Sequence, residues 1–194
     1  MRTNQGLSRA VSGATLSILS LAILAIAQTG SDNGLSRIRI KNFGRINDNY
    51  YRGAQPKRRD YSDLASLGVK TVIDLQQDGE ASEQTDVESA GMQFYRIGLS
   101  DSSWPSREKT DQFLKLVNDP ANQPVFIHCH GGRHRAGIMT AIYRINHDKW
   151  SADQAYGEMK KYEFESGFGH GALRDYVYDY AQKNQSIASV NADK

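Results

Sequence analysis

Three short apolar runs, 69-VKTVIDL-75, 93-QFYRIGL-99 and 124-PVFIHC-129, constrain the fold of this chain more than any other feature. Each has the length of a strand, and the first is β-branched and apolar almost throughout, as a strand covered on both faces requires. Helical segments separate them. Residues 82–90 read as a helix stopping at Gly91, and Phe113, Leu114, Leu116 and Val117 mark a second helix after the loop 100-SDSSWPS-106. Beyond the third run, 136-AGIMTAIYRINH-147 carries apolar residues at helical spacing. A further helix is predicted from Ser151, with Gln154 completing a capping box. The last helix is predicted over 171–184 from Leu173, Tyr176, Val177 and Tyr180. Upstream, 38-IRIKNFGRI-46 and 49-NYYRG-53 read as strands around an Asn-Asp turn, and Pro56 opens a helix that closes at Gly68. Strands alternating with helices predict a single α/β domain over residues 37–185. Its sheet is largely parallel, with about four to five strands flanked by helices. Residues 186–194 are expected to be a disordered tail. In such a sheet ligands bind at the carboxyl ends of the strands, and Cys129 lies at one of them.

The N-terminus reads separately. Arg2 and Arg9 precede or flank the start of 10-AVSGATLSILSLAILAIA-27, which is almost wholly apolar and ends in the small-x-small pattern Ala25-Ile26-Ala27. This is the pattern of a signal peptide over residues 1–27, cleaved before Gln28, with residues 28–36 a flexible leader. The chain is then expected to be exported from a bacterial cytoplasm, periplasmic or secreted, and off the membrane after cleavage; an uncleaved run would act as an anchor. Residues 1–27 hold two arginines and no acid, so the remainder carries equal numbers of basic and acidic residues. A nucleic-acid binder would carry a basic excess, so any attraction for anions must be local. No nucleic acid is expected as a partner.

The chain has one cysteine, and 125-VFIHCHGGRHRAG-137 places it between a strand and a glycine-rich basic turn. An unpaired thiol in an oxidising compartment has two explanations: it is a small buried hydrophobe, or it does chemistry. The turn favours chemistry. Strand, glycine-rich turn and helix make an anion site, because backbone N–H groups converge and the helix adds its positive end. Gly131 and Gly132 permit backbone shapes that a β-carbon resists, and a side chain on Gly132 would be expected to obstruct an incoming anion. Arg135 offers a planar fork to two phosphate oxygens. The same field favours the thiolate of Cys129, and a thiolate facing phosphate is a nucleophile aimed at phosphorus.

The segment 128-HCHGGRHR-135 resembles the active loop of the cysteine-based protein tyrosine and dual-specificity phosphatases: cysteine, five residues, arginine, with glycine third after the cysteine and histidine before it. Together with 50-YYRGAQP-56 and 69-VKTVIDL-75, the order resembles the compact atypical dual-specificity branch of bacteria, fungi and plants. The resemblance implies a phosphate-binding loop between strand and helix, a phosphocysteine on Cys129, and phosphoryl oxygens held by Arg135 and the N–H groups of residues 130–135. His128 would support the loop from behind. An upstream loop aspartate would act as general acid, which Asp101 fits better than Glu108 or Asp111. His130, Gly131, Gly132, Arg133 and His134 would line the substrate side. Related fungal and plant enzymes carry a basic residue then histidine at the positions of Arg133 and His134 and act on highly phosphorylated inositols. The implied partner is a phosphorylated protein or a small phosphorylated metabolite such as an inositol phosphate, and no cofactor is implied. One position departs from the pattern: Ala136 stands where the family carries serine or threonine.

Three rivals share these residues. A zinc site would draw on His128, Cys129, His130 and His134, but adjacent strand residues point to opposite faces. Rhodanese-type sulfur transfer also begins from a loop cysteine, though on a shorter loop. A phosphate-binding module without turnover would keep the cradle alone. Elsewhere, Lys57, Arg58 and Arg59 read as a solvated charge run, and Tyr176, Tyr178 and Tyr180 as partial core. Trp104 reads equally as loop packing or as a substrate contact.

Overall fold

The computed structural model describes residues 34–167 and 169–192. The proposed signal sequence and most of the leader lie outside these residues. A short 3-10 turn, Leu35–Arg37, opens the described chain. Strand β1 (Gly44–Asn47) and strand β2 (Tyr50–Ala54) form an antiparallel hairpin in which Asn47 faces Tyr50 across the turn. Helix α1 (Asp60–Ser66) leads to β3 (Thr71–Gln76), α2 (Glu83–Ser89), β4 (Gln93–Leu99) and α3 (Arg107–Asn118). Then come β5 (Val125–Cys129), α4 (Arg135–His147), α5 (Ala152–Lys161) and α6 (Gly171–Ala192). No helix among the described residues is long and apolar enough to cross a membrane.

The sheet order is β1-β2-β5-β3-β4, parallel throughout except for the β1 edge. The expected α/β domain is therefore present, and β5 is its centre. Every residue of β2, β3 and β5 is buried, because helices cover both faces. Alternation divides β5 between two cores. Val125, Ile127 and Cys129 pack with Tyr50, Ile73, Phe113 and the apolar residues of α4. Phe126 points the other way, into Tyr51, Tyr61, Leu64, Val72 and Val87. Helix α4 is buried almost all round, from Ala136 to Ile145, which explains why its sequence is apolar on more than one face. The capping box before α5 is formed: the Gln154 N–H donates to Ser151 Oγ at 3.2 Å, and the Ser151 N–H to Gln154 Oε1 at 2.9 Å.

Two expectations need correction. The 38–46 run is not one strand, because Asn42 takes a left-handed backbone (φ 52°) and turns the chain before β1 begins at Gly44. The last helix does not stop near 184, and the segment expected as a disordered tail continues it to Ala192.

Candidate active site

The parallel register sets Cys129 opposite Ala54 of β2, and His128 opposite both Gly53 of β2 and Asp74 of β3. Strand alternation sends these neighbours apart. Cys129, only 3% exposed, belongs to the α4 side and lines a cavity of about 450 Å³ at the strand ends. His128 is fully buried on the α2 side, with Nε2 2.8 Å from Glu83 Oε1. The two residues therefore face different surroundings, as the argument against a shared zinc ion requires.

Between β5 and α4 the chain curls around the thiol, and its carbonyls are tied outward by distant donors. The His130 carbonyl accepts from the Gln55 N–H at 3.2 Å. The Gly131 carbonyl accepts from Asn42 Nδ2 at 2.9 Å. The Gly132 carbonyl accepts from the fully buried guanidinium of Arg52. Carbonyls held outward leave the N–H groups of the same peptides free to converge on an anion above Cys129. Gly132 has φ 66°, and a β-carbon there would lie 2.6 Å from both Ala54 N and Gly53 C. The left-handed φ is the backbone shape expected of this glycine, and the close contact with the β2 backbone is a further reason for it that the sequence did not reveal. A β-carbon on Gly131 would meet the Arg133 side chain at ordinary contact distance, 3.7 Å from its Cγ.

Arg52 was not foreseen. It lies under the loop against the Tyr162 ring, 4.1 Å from the centroid. Burial pulls its guanidinium below the ordinary value, while Tyr50 and Cys129 pull it back up. Its positive charge thus sits beneath the thiol. The only sequence signal was an arginine inside a strand otherwise made of apolar and small residues.

Behind the loop, His128 joins a buried polar cluster. Glu83 accepts from Tyr61 Oη at 2.7 Å and Gln55 Nε2 at 2.9 Å. Arg96 Nε reaches Asp74 at 2.7 Å, and its Nη2 reaches Glu83 at 3.4 Å. Asp74, Glu83 and His128 are close enough to hold a cation, and the Arg96 guanidinium already brings positive charge to both carboxylates. Burial alone would push the Glu83 carboxyl up; His128, Tyr61 and Gln55 outweigh it and hold it at about 2.

The cavity wall brings together Lys41, Asp101, Cys129, His130, Gly131, Arg133, His134 and Arg135. All the expected site residues are there except His128, buried at the end of β5, and Gly132, whose backbone packs on β2. Lys41 was missed, because nothing near it in sequence connects it to the loop. Glu108 and Asp111 lie on α3 and do not line the cavity, and Asp111 pairs with Arg107 at 3.6 Å. Ser106 caps α3 by accepting from the Lys109 N–H at 3.3 Å, which ends the loop that carries Asp101. His134 stacks on His170 with centroids 3.6 Å apart and meets Phe164 edge-on. Burial, His170 and Arg133 lower its pKa, against the opposing pull of Asp101 and Glu165. Trp104 is 47% exposed, with its ring against Tyr176 at 5.5 Å. Tyr176 is buried, while Tyr178 is exposed and donates to Asp153 at 2.7 Å. Arg58 and Arg59 are exposed and pair with Asp86 and Asp60.

Comparison with known proteins agrees with this geometry. Residues 37–193 match the model of a tyrosine phosphatase family. The chain is 29% identical over 126 residues to the inositol diphosphatase DSP2 of Oryza sativa subsp. japonica, covering 62% of this chain and 61% of that protein. It is also 29% identical over 126 residues to a probable tyrosine-protein phosphatase of Dictyostelium discoideum, covering 62% and 75%. The chain thus spans less than two thirds of the rice protein's length. Among solved structures, the core catalytic domain of the PP-IP phosphatase SIW14 of S. cerevisiae, in complex with citrate, superposes with a TM-score of 0.66 at 24% identity. The match covers 80% of this chain and 95% of that one, and establishes a shared fold.

Proposed function

The chain belongs to the tyrosine phosphatase family, and from that premise we propose that it hydrolyses phosphate monoesters through a phosphocysteine on Cys129. The observation that carries this reading is the tied loop: three successive carbonyls held outward around a thiol that lines the cavity with Arg135 and Asp101. The Cys129 thiolate attacks phosphorus, the ester P–O bond breaks, and the electron pair leaves on oxygen. Asp101 protonates that oxygen. Loop N–H groups and Arg135 hold the three non-bridging oxygens while charge shifts among them. Water then attacks the phosphocysteine and gives its proton to Asp101. The S–P bond breaks and returns the thiolate. Arg52 beneath the loop stabilises sulfur whenever it carries negative charge.

Turnover of p-nitrophenyl phosphate by the wild type, abolished in Cys129→Ser, tests this reading. Asp101→Asn is expected to slow alkyl phosphates far more than aryl phosphates with good leaving groups, since the latter need less protonation. Equal losses across such a series would remove Asp101 from the acid's role.

A second reading concerns the substrate. Lys41, Arg133 and His134 line the cavity beside the cradle, and the rice relative is named an inositol diphosphatase. An inositol phosphate is therefore a candidate beside a phosphorylated protein. Export completes the proposal. It rests on the pattern of residues 1–27, and N-terminal sequencing of the extracytoplasmic form should begin at Gln28.

A further inference from the structure

Two residues outside the cavity lining hold left-handed backbones without being glycine, and their side chains meet. Asn42 has φ 52° and Glu163 has φ 59°. Asn42 Nδ2 lies 3.4 Å from Glu163 Oε2. Residues persist in that region when their surroundings fix them there, and such positions gather at functional sites. The same Oε2 lies 2.9 Å from Arg133 Nε and 3.8 Å from Lys41 Nζ. Lys41 and Arg133 both line the cavity, whereas Glu163 stands outside it. Arg133 Nε is buried and makes no directed hydrogen bond, so the contact is one of charge and not an orienting clamp.

We propose that Lys41 and Arg133 form a second anion subsite beside the phosphate cradle, and that Glu163 is its internal competitor. A substrate with one phosphate on a neutral body enters the cradle and leaves the Glu163 pairs intact. A substrate with a second phosphate in reach of Lys41 and Arg133 must displace the Glu163 carboxylate, and it gains correspondingly less. Glu163 is thus a specificity-determining residue that sets the chain against polyphosphorylated substrates and toward simple monoesters. This inference rests on the phosphatase reading and decides between its two substrate classes.

The side chains of Lys41, Arg133 and Glu163 are 61%, 36% and 49% exposed, so each pair is weak and reversible. Glu163→Gln keeps the shape and removes the charge. The experiment measures inhibition of p-nitrophenyl phosphate turnover by orthophosphate and by methylenebisphosphonate, a non-hydrolysable probe with two phosphonates. In the wild type the bisphosphonate should bind little better than orthophosphate. In Glu163→Gln the ratio of the two inhibition constants should move about 3- to 10-fold in favour of the bisphosphonate, the scale of two half-exposed ion pairs. The gain should fade at high salt and vanish in Lys41→Ala/Glu163→Gln and Arg133→Ala/Glu163→Gln. An unchanged ratio, or one that falls, would overturn the competitor role. The reading beneath it fails separately: absent wild-type turnover would defeat the phosphatase assignment, and calorimetric binding of the same two probes would still decide the subsite.

Discussion

At Ala136 the chain carries a methyl group where the family pattern has a hydroxyl. Ala136 is fully buried in the first turn of α4. The hydroxyl one turn on, Thr140, donates to the Ala136 carbonyl at 2.7 Å and lies 3.3 Å from Tyr50 Oη. The second chemical step expels the thiolate, and a lost hydrogen bond to an emerging charge is worth about 1.5–3 kcal/mol. That is roughly 10- to 150-fold in rate, so hydrolysis of phosphocysteine should limit turnover. Rapid mixing with an aryl phosphate should release a burst of phenol near one equivalent per site. Ala136→Ser should speed the steady phase and shrink the burst; no burst and no faster serine variant would place the limit in the first step. Gly132 makes a second residue-scale test. A β-carbon would press on the β2 backbone from a left-handed conformation, so Gly132→Ala should cost about 1–3 kcal/mol in denaturant unfolding. It should also open the loop, and phosphate affinity should fall with it.

At the scale of elements, the unit that matters is β5, its loop and α4, and it was legible because its residues are contiguous. Periodicity marked the strand and helix, and Cys129, Gly132 and Arg135 marked the turn. What ties the loop into shape was not legible. Asn42, Arg52 and Gln55 come from the hairpin region, some 75 to 89 residues earlier in the chain. Local pattern carries no information about which distant donor will satisfy a given carbonyl. Glu163 and Lys41 escaped for the same reason, and so did the contact of Gly132 with the β2 backbone. The cluster behind the loop gives this scale its prediction. Glu83 has a folded-state pKa of about 2 against 4.5 in the free side chain. Between those values the unfolded chain binds more protons, so stability rises with pH there. The contribution is complete above about 4.5 and is lost as pH falls toward 2. Glu83→Gln should lower stability at neutral pH by about 3 kcal/mol and flatten the acid limb of the unfolding profile. An acid limb as steep as the wild type's would assign that pH dependence to other carboxylates.

For the molecule as a whole, the fold concentrates charge on a chain whose formal net charge is only +2. The parallel sheet delivers Cys129 to the carboxyl end of its central strand, Asn42 before β1, Arg52 of β2 and Gln55 after it hold the loop carbonyls, and α4 begins at Arg135. Residues as far apart in sequence as Lys41 and Arg135 then line one cavity, and Glu163 balances two of its cations from outside. The central claim is that phosphoryl passes through Cys129. It is tested most directly by acid-quenching the wild type during turnover of an aryl phosphate and measuring intact and peptide masses. A phosphoryl adduct on the peptide containing Cys129, present at a large fraction of sites and absent from Cys129→Ser, is the predicted result. Turnover that persists in Cys129→Ser, or steady wild-type turnover with no adduct on that peptide, would contradict the account.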